Sequence, residues 1–154
     1  MGAVADTGRG IVEAVIEIEA PPERVFVSLT DPVELASWWG AVEVYRTFDW
    51  DVDLRPGGSW SCKSENAAGQ PSSVRGEYLA VEPPRLLETT WCASWDDFVE
   101  TRVRYELEPT PAGTRLSVIH SGFARRTRSC REHAEGWTLV LSWLGDHLGG
   151  ATWT

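Results

Sequence analysis

Hydrophobic positions recur along this chain with two different periods. Over residues 130–148, CREHAEGWTLVLSWLGDHL, the period is helical at about 3.6 residues. Cys130, Ala134, Trp137, Val140, Leu141, Leu144 and Leu148 fall on one broad face, which predicts a long amphipathic helix seated on a core. Two residues do not fit that face. Leu139 and Trp143, four apart, project from the side that carries Glu135, Ser142 and Asp146. An exposed apolar pair of this kind predicts an interface, here a homodimer or packing by the chain's ends, such as Trp153.

Upstream the period is two. In residues 11–19, Val12, Ala14, Ile16 and Ile18 share one side and Glu13, Glu17 and Glu19 the other, the pattern of a half-buried strand. Pro21-Pro22-Glu23 opens a short helix to about Leu29, because proline is tolerated in a first turn where its missing donor is not needed. Asp31-Pro32 opens a second, with Asp31 as cap, running to Trp38-Trp39 and stopped by Gly40.

From residue 42 to residue 120 one strand signal follows another. Residues 44–54 lead through the turn Arg55-Pro56-Gly57-Gly58 into residues 59–65, with Trp60 and Cys62 on one face, and a loop covers residues 66–71. Val74, Gly76, Tyr78 and Ala80 alternate up to the stop at Pro83-Pro84. Leu87, Thr89, Trp91, Ala93 and Trp95 share a side of the next strand. After a turn at Asp96-Asp97, Val99, Thr101, Val103, Tyr105 and Leu107 oppose Glu100, Arg102, Arg104, Glu106 and Glu108. Leu116, Val118 and His120 form the inner side of the last strand.

The fold class is α+β. About seven strands joined by short turns form an antiparallel sheet, apolar towards the C-terminal helix that it wraps, and the two short helices close one end of the groove between them. Residues 1–9 are expected to be flexible and residues 10–150 to form a single domain.

The net charge of -9 repels phosphate backbones and anionic lipid, which argues against nucleic acid or a membrane surface as the partner. No stretch approaches the roughly 18 to 20 uninterrupted apolar residues of a membrane span. The opening MGAVADTGRG has neither the pattern of a signal peptide nor, with Asp6 at the sixth position, that of a myristoylation site. A soluble, cytoplasmic protein is expected, with Cys62, Cys92 and Cys130 as reduced thiols.

Nine tryptophans in 154 residues change the picture, because such bulky amphipathic rings need either a large core or the wall of a cavity. Trp38, Trp39, Trp60, Trp91, Trp95 and Trp137 are the candidates. Inward strand positions and the helix face would bring several of them together with Tyr78, Tyr105 and Leu141, and Thr101, Tyr105 and His120 would supply polar groups. That combination suits a flat apolar ligand; core packing is the competing reading. His120 reads either as a buried neutral imidazole or as a ligand contact. Cys130 and His133 are three apart, but a metal site needs further ligands that only His120, His147 or Cys62 could bring from afar, so packed core is expected there and neither metal nor cofactor. No Ser-His-Asp or Cys-His-Asn constellation can be argued from spacing. Arg125-Arg126-Thr127-Arg128, with Arg131, precedes the helix and could receive an anionic group; a solvated loop is the alternative.

Five stretches, APPERVFVSLTDPVELASWWG, VDLRPGGSW, VRGEYLAVEPPRLLETTW, GTRLSVIHSGF and HAEGWTLVLSWL, occur in an order that resembles the SRPBCC superfamily of START-like and birch-pollen-allergen-like helix-grip proteins. Within it, the chain is similar to bacterial homologues of the activator of the ninety-kilodalton heat-shock chaperone's ATPase. The resemblance implies a sheet wrapped round a C-terminal helix, often with an internal apolar cavity. It implies no shared catalytic set, because the superfamily hosts binders, cyclases and chaperone partners. A counterpart of the separate N-terminal domain with which the activators grip the chaperone is not expected within these 154 residues. Three functions follow as expectations: binding of a hydrophobic small molecule, a polyketide cyclase or dehydratase-like enzyme using the same cavity, and a chaperone-associated module.

Overall fold

The computed structural model describes residues 2–154. In chain order its elements are β1 (Val4–Asp6), β2 (Ile11–Ile18), α1 (Pro22–Thr30), α2 (Pro32–Trp38), β3 (Gly40–Ala41), β4 (Tyr45–Val52), β5 (Ser59–Asn66), β6 (Pro71–Glu82), β7 (Leu86–Ala93), β8 (Glu100–Thr110), β9 (Gly113–Ser121), α3 (Thr127–His147) and β10 (Ala151–Trp153), with a 3-10 turn at Ser94–Asp96. The strands make one antiparallel sheet in the order β1-β2-β9-β8-β7-β6-β5-β4-β3, with β10 also on β2. The class is the α+β helix grip expected from the sequence, with more strands: three of the ten, β1, β3 and β10, have only two or three residues.

The start of the chain is where expectation and structure part. Residues 4–6, placed in a flexible segment, pair with Ile11 to Glu13 of β2, and Ala151 to Trp153 pair with Ile16 to Ile18 further along the same strand. Both ends of the chain therefore lie along one flank of β2, where they occupy backbone groups that an open edge would leave unpaired.

α2 starts as its sequence predicts, with the Asp31 carboxylate accepting from the Val33 N–H at 2.9 Å. α3 starts at Thr127, three residues before the expected Cys130, and buries Cys130, Ala134, Trp137, Val140, Leu141 and Leu144 against the sheet. The two short helices close one end of the groove by a polar clasp on the C-terminal end of α3. Glu34 accepts from Ser28 Oγ at 2.6 Å, from His147 Nε2 at 2.8 Å and from Arg24. Burial pushes the Glu34 carboxyl up, and these three donors outweigh it, leaving its pKa below the ordinary value.

Two β-bulges alter which side chains face inward. Between Phe48 and Asp51 of β4 an extra residue shifts the register against β5, with Asp49 at φ 51°. Tyr45 and Thr47 face the interior before the bulge, and Trp50 and Val52 after it. The second bulge, between Tyr78 and Ala80 of β6, sets Val81 against the core opposite Leu87 and pairs Ala80 with Glu88. Ala80, which alternation groups with Val74, Gly76 and Tyr78, is thereby replaced by Val81 on the core side.

The exposed Leu139–Trp143 pair is also corrected. Leu139 is 41% exposed, but Trp143 is half-buried with its ring edge-on to Tyr45 at 5.4 Å. α3 packs on β2 and β1 and also reaches β3, so a position that looks outward on an isolated wheel meets Tyr45, which pairs with β3 at the far edge of the sheet. The homodimer expectation is left resting on Leu139. Among the described residues no helix is long and apolar enough to cross a membrane.

Candidate ligand-binding site

Between α3 and the β4–β7 half of the sheet lies a cavity of about 280 Å³, walled by Trp39, Trp50, Trp60, Trp91, Trp95 and Trp137 together with Tyr45, Cys62, His133 and Val140. Each wall residue has a different origin. Trp39 follows α2, Trp50 is turned in by the β4 bulge, Trp60 and Trp91 take inward positions on β5 and β7, and Trp137 comes from the buried face of α3. Five of these indoles form a closed circuit of ring contacts: Trp39 to Trp50 at 5.5 Å, Trp50 to Trp60 at 6.1 Å, Trp60 to Trp91 at 5.8 Å, Trp91 to Trp137 at 5.8 Å and Trp137 back to Trp39 at 5.9 Å. Centroid separations in this range are those of favourable tilted and edge contacts.

The indole N–H groups fix the rings. Trp60 Nε1 donates to Thr89 Oγ1 at 2.5 Å, and Trp50 Nε1 donates to Thr47 Oγ1 at 3.0 Å. The Trp60 indole lies over Gly76, where a Cβ would sit 2.5 Å from Trp60 Nε1 and 2.1 Å from the Thr90 carbonyl oxygen. Only a residue with no side chain lets the ring lie that close to the β6 backbone.

Trp137 Nε1 donates to His120 Nδ1 at 2.9 Å, and His120 Nε2 lies 2.7 Å from Thr101 Oγ1, whose hydroxyl donates to the Trp91 carbonyl at 2.9 Å. An indole N–H can only donate, so His120 Nδ1 accepts and its ring proton sits on Nε2. Burial, then the positive charges of His133 and Arg126 when present, hold the His120 pKa well below the ordinary imidazole value. His120 is a neutral strut between α3, β8 and β9, tied to side chains.

Of the residues expected to contact a ligand, Trp39, Trp60, Trp91 and Trp137 stand in the cavity wall. Tyr78 and Tyr105 instead border a neighbouring gap of about 20 Å³, which also touches Trp39, Trp50, Trp60 and Trp91. Thr101, His120 and Leu141 do not reach the cavity. The first two lie behind Trp91 and Trp137, where their polar atoms are used up in the chain of bonds just described, and Leu141 is wholly buried in the core. Trp38 faces away, donating to the Ser28 carbonyl at 2.9 Å. Trp95 is 53% exposed at the rim, because β7 ends at Ala93 and the 3-10 turn swings the next residues out of the strand's alternation.

The sequence reading missed Trp50, Tyr45 and His133. Strict alternation gives no notice of a bulge, which hides Trp50. His133 could have been found four residues before Trp137, on the same side of the helix. Its Nδ1 donates to the Ser129 carbonyl at 2.8 Å, and the residue is only 6% exposed, with its ring centred 6.2 Å from Trp91, 4.8 Å from Phe123 and 5.1 Å from His120. Burial lowers its pKa, against the opposing effect of the bond to Ser129.

A thiol and a phenol of the wall are held protonated. Burial pushes the Cys62 thiol and the Tyr45 hydroxyl each up to about 12, so neither ionises at neutral pH. Of the arginines around the start of α3, Arg126 pairs with Asp96 and Arg128 with Glu132 at 2.9 Å. Among the described residues no group of three or more His, Cys, Asp or Glu side chains could hold a metal ion.

A single antiparallel sheet gripping a C-terminal helix, with a cavity between them, defines a helix-grip domain of the SRPBCC superfamily. The family model described as "Activator of Hsp90 ATPase homolog 1-like protein" matches residues 19–149, and the chain belongs to that family. Among solved structures, the chain is similar to the AHSA1 protein of Silicibacter pomeroyi, with 29% identity over 90% of this chain and 96% of that one and a TM-score of 0.77. A Mycobacterium smegmatis protein shares the fold at 20% identity, 96% of each chain and a TM-score of 0.82. An AHSA1-like protein of Aeromonas hydrophila does so at 22% identity, 89% of this chain, 90% of that one and a TM-score of 0.74. No curated protein matches the chain.

Proposed function

We propose that this domain binds a small, flat, apolar molecule in the tryptophan-walled cavity, in a cytoplasmic setting where its three thiols stay reduced. The observation that carries the reading is the closed circuit of five indoles around one face of a cavity of about 280 Å³. Core packing alone does not explain open space beside so many large rings, because interiors are close-packed and voids forfeit dispersion contacts. The volume is just under the range of drug-sized ligand pockets and suits a molecule of one or two rings.

Binding is favoured over catalysis because the polar groups of the wall are engaged or locked: the thiol and phenol stay protonated, Ser64 is engaged with Ser72 at 2.5 Å, the Glu132 carboxylate accepts from Arg128 at 2.9 Å and His133 donates to the Ser129 carbonyl. Titration of tryptophan fluorescence with naphthalene and indole tests the reading. Quenching that saturates below the millimolar range is expected, and its absence for both compounds overturns the proposal.

A further inference from the structure

We propose that the cavity selects an apolar molecule carrying one quaternary ammonium group, which sits at the cavity mouth against Trp95 and Glu132. The inference rests on the binding function proposed above and names the ligand class. What the indoles offer a ligand is carbon. The N–H groups of Trp50, Trp60 and Trp137 are spent on Thr47, Thr89 and His120, and Trp91 Nε1 is sealed from solvent. The five rings of the circuit are inclined to their neighbours by 20° to 64°, so faces as well as edges turn towards the space beside them. The face of an aromatic ring is the negative part of its quadrupole and attracts a cation, most strongly when the ring is an indole.

Charge points the same way. Among the described residues the wall holds one carboxylate, Glu132, and no lysine or arginine. Glu132 is exposed and follows one residue before His133 on α3, and the half-exposed Trp95 ring is centred 6.0 Å from the His133 imidazole, so the two flank the solvent-open end of the cavity. The bond from Arg128 takes one carboxylate oxygen, Oε1, and Arg128 itself stands outside the wall on the open surface, where such a pair is weak. A quaternary nitrogen has no N–H to satisfy, which suits a wall whose hydroxyls are already engaged, Ser64 with Ser72 and Thr47 with Trp39 and Trp50. A primary ammonium brings three donors and finds too few acceptors there. A carboxylate is repelled by Glu132 and by the indole faces, on a chain of net charge -9. A neutral ligand leaves both the carboxylate and the ring faces unused.

Isothermal titration calorimetry of the whole chain with (2-naphthylmethyl)trimethylammonium, naphthalene and 2-naphthylacetate tests this without requiring any variant to fold. The ammonium compound is expected to bind roughly threefold to thirtyfold more tightly than naphthalene, the range that a cation over an indole adds between exposed and desolvated sites, and 2-naphthylacetate more weakly than both. Glu132→Gln should weaken the ammonium compound roughly twofold to fivefold, the scale of an exposed ion pair, and Arg128→Ala, which removes a competing cation, should strengthen it. Naphthalene affinity should hold in both variants, which also shows that the cavity is intact. An ammonium compound that binds no more tightly than naphthalene, or less tightly than 2-naphthylacetate, overturns the inference and leaves the apolar-binding proposal standing. A Glu132→Gln variant that keeps the full ammonium preference overturns it as well. Failure of all three compounds to bind removes the cavity function itself and this inference with it.

Discussion

Replacing His120 by leucine should make the protein less stable at neutral pH and also less sensitive to acid, and the two effects can be worked out separately. At neutral pH the substitution removes the acceptor of Trp137 Nε1–H, bonded at 2.9 Å, and leaves that indole N–H unpaired in the core. Such a group costs about 1–3 kcal/mol. Thr101 loses less, because its hydroxyl still donates to the Trp91 carbonyl.

Acid acts with the opposite sign on the difference. The folded-state pKa of His120 is depressed, whereas the unfolded imidazole titrates near about pH 6.5. Above that pH both states are neutral and the histidine's full contribution is present. As the pH falls below it, the unfolded chain takes up a proton that the folded chain refuses. Stability then drops by about 1.4 kcal/mol per pH unit until the folded-state pKa is reached. Below about pH 6.5 the wild type should lose stability through this one group as the pH falls, and the leucine variant none of it. Other titrating groups, such as Asp6, Glu34 and His133, are shared and cancel to first order in the difference. Urea unfolding followed by tryptophan fluorescence, repeated across that pH range, measures it. The stability gap should close as the pH falls; a gap that stays constant across the range would refute a His120 locked in its neutral form.

Substitutions at three further positions probe other parts of the structure. Gly76→Ala forces a methyl group to within 2.1 Å of the Thr90 carbonyl and 2.5 Å of Trp60 Nε1; it should destabilise by about 2 kcal/mol or more in urea unfolding and weaken naphthalene binding, as overpacking does. Gly136 lies mid-helix in α3, lines the cavity and has nothing within 4 Å of the place its Cβ would occupy. Gly136→Ala should therefore stabilise by up to about 1 kcal/mol through helix propensity, while Gly136→Phe should reduce naphthalene affinity with the fold retained in circular dichroism. Trp143→Glu places a charge where Trp143 packs on Tyr45. Urea unfolding should show a loss of about 1–3 kcal/mol with no change of sedimenting mass, and a wild-type dimer dissociated by the variant would contradict that packing role.

What the amino-acid order determined by itself was everything that depends on periodicity and on local backbone chemistry. The buried face of α3, the inward set Val12, Ala14, Ile16 and Ile18, the regular alternation of β8 from Thr101 to Leu107 and the Asp31 cap are all fixed by residues close in sequence. These features made the helix-grip class legible, and four of the cavity tryptophans with it. What only the tertiary structure decided was phase and neighbourhood. One extra residue in β4 turned Trp50 into the cavity, and the short end of β7 put Trp95 on the rim. Terminal strands of three residues are too brief to show a period and exist because β2 offers them an edge. His120 and His133 differ for the same reason. Both are imidazoles directed inward, but the first has both nitrogens bonded to side chains of the core. The second has one nitrogen bonded to its own helix and the other without a partner among the described residues. A histidine's role depends on which groups approach from other segments of the chain, and no local pattern of residues carries that information.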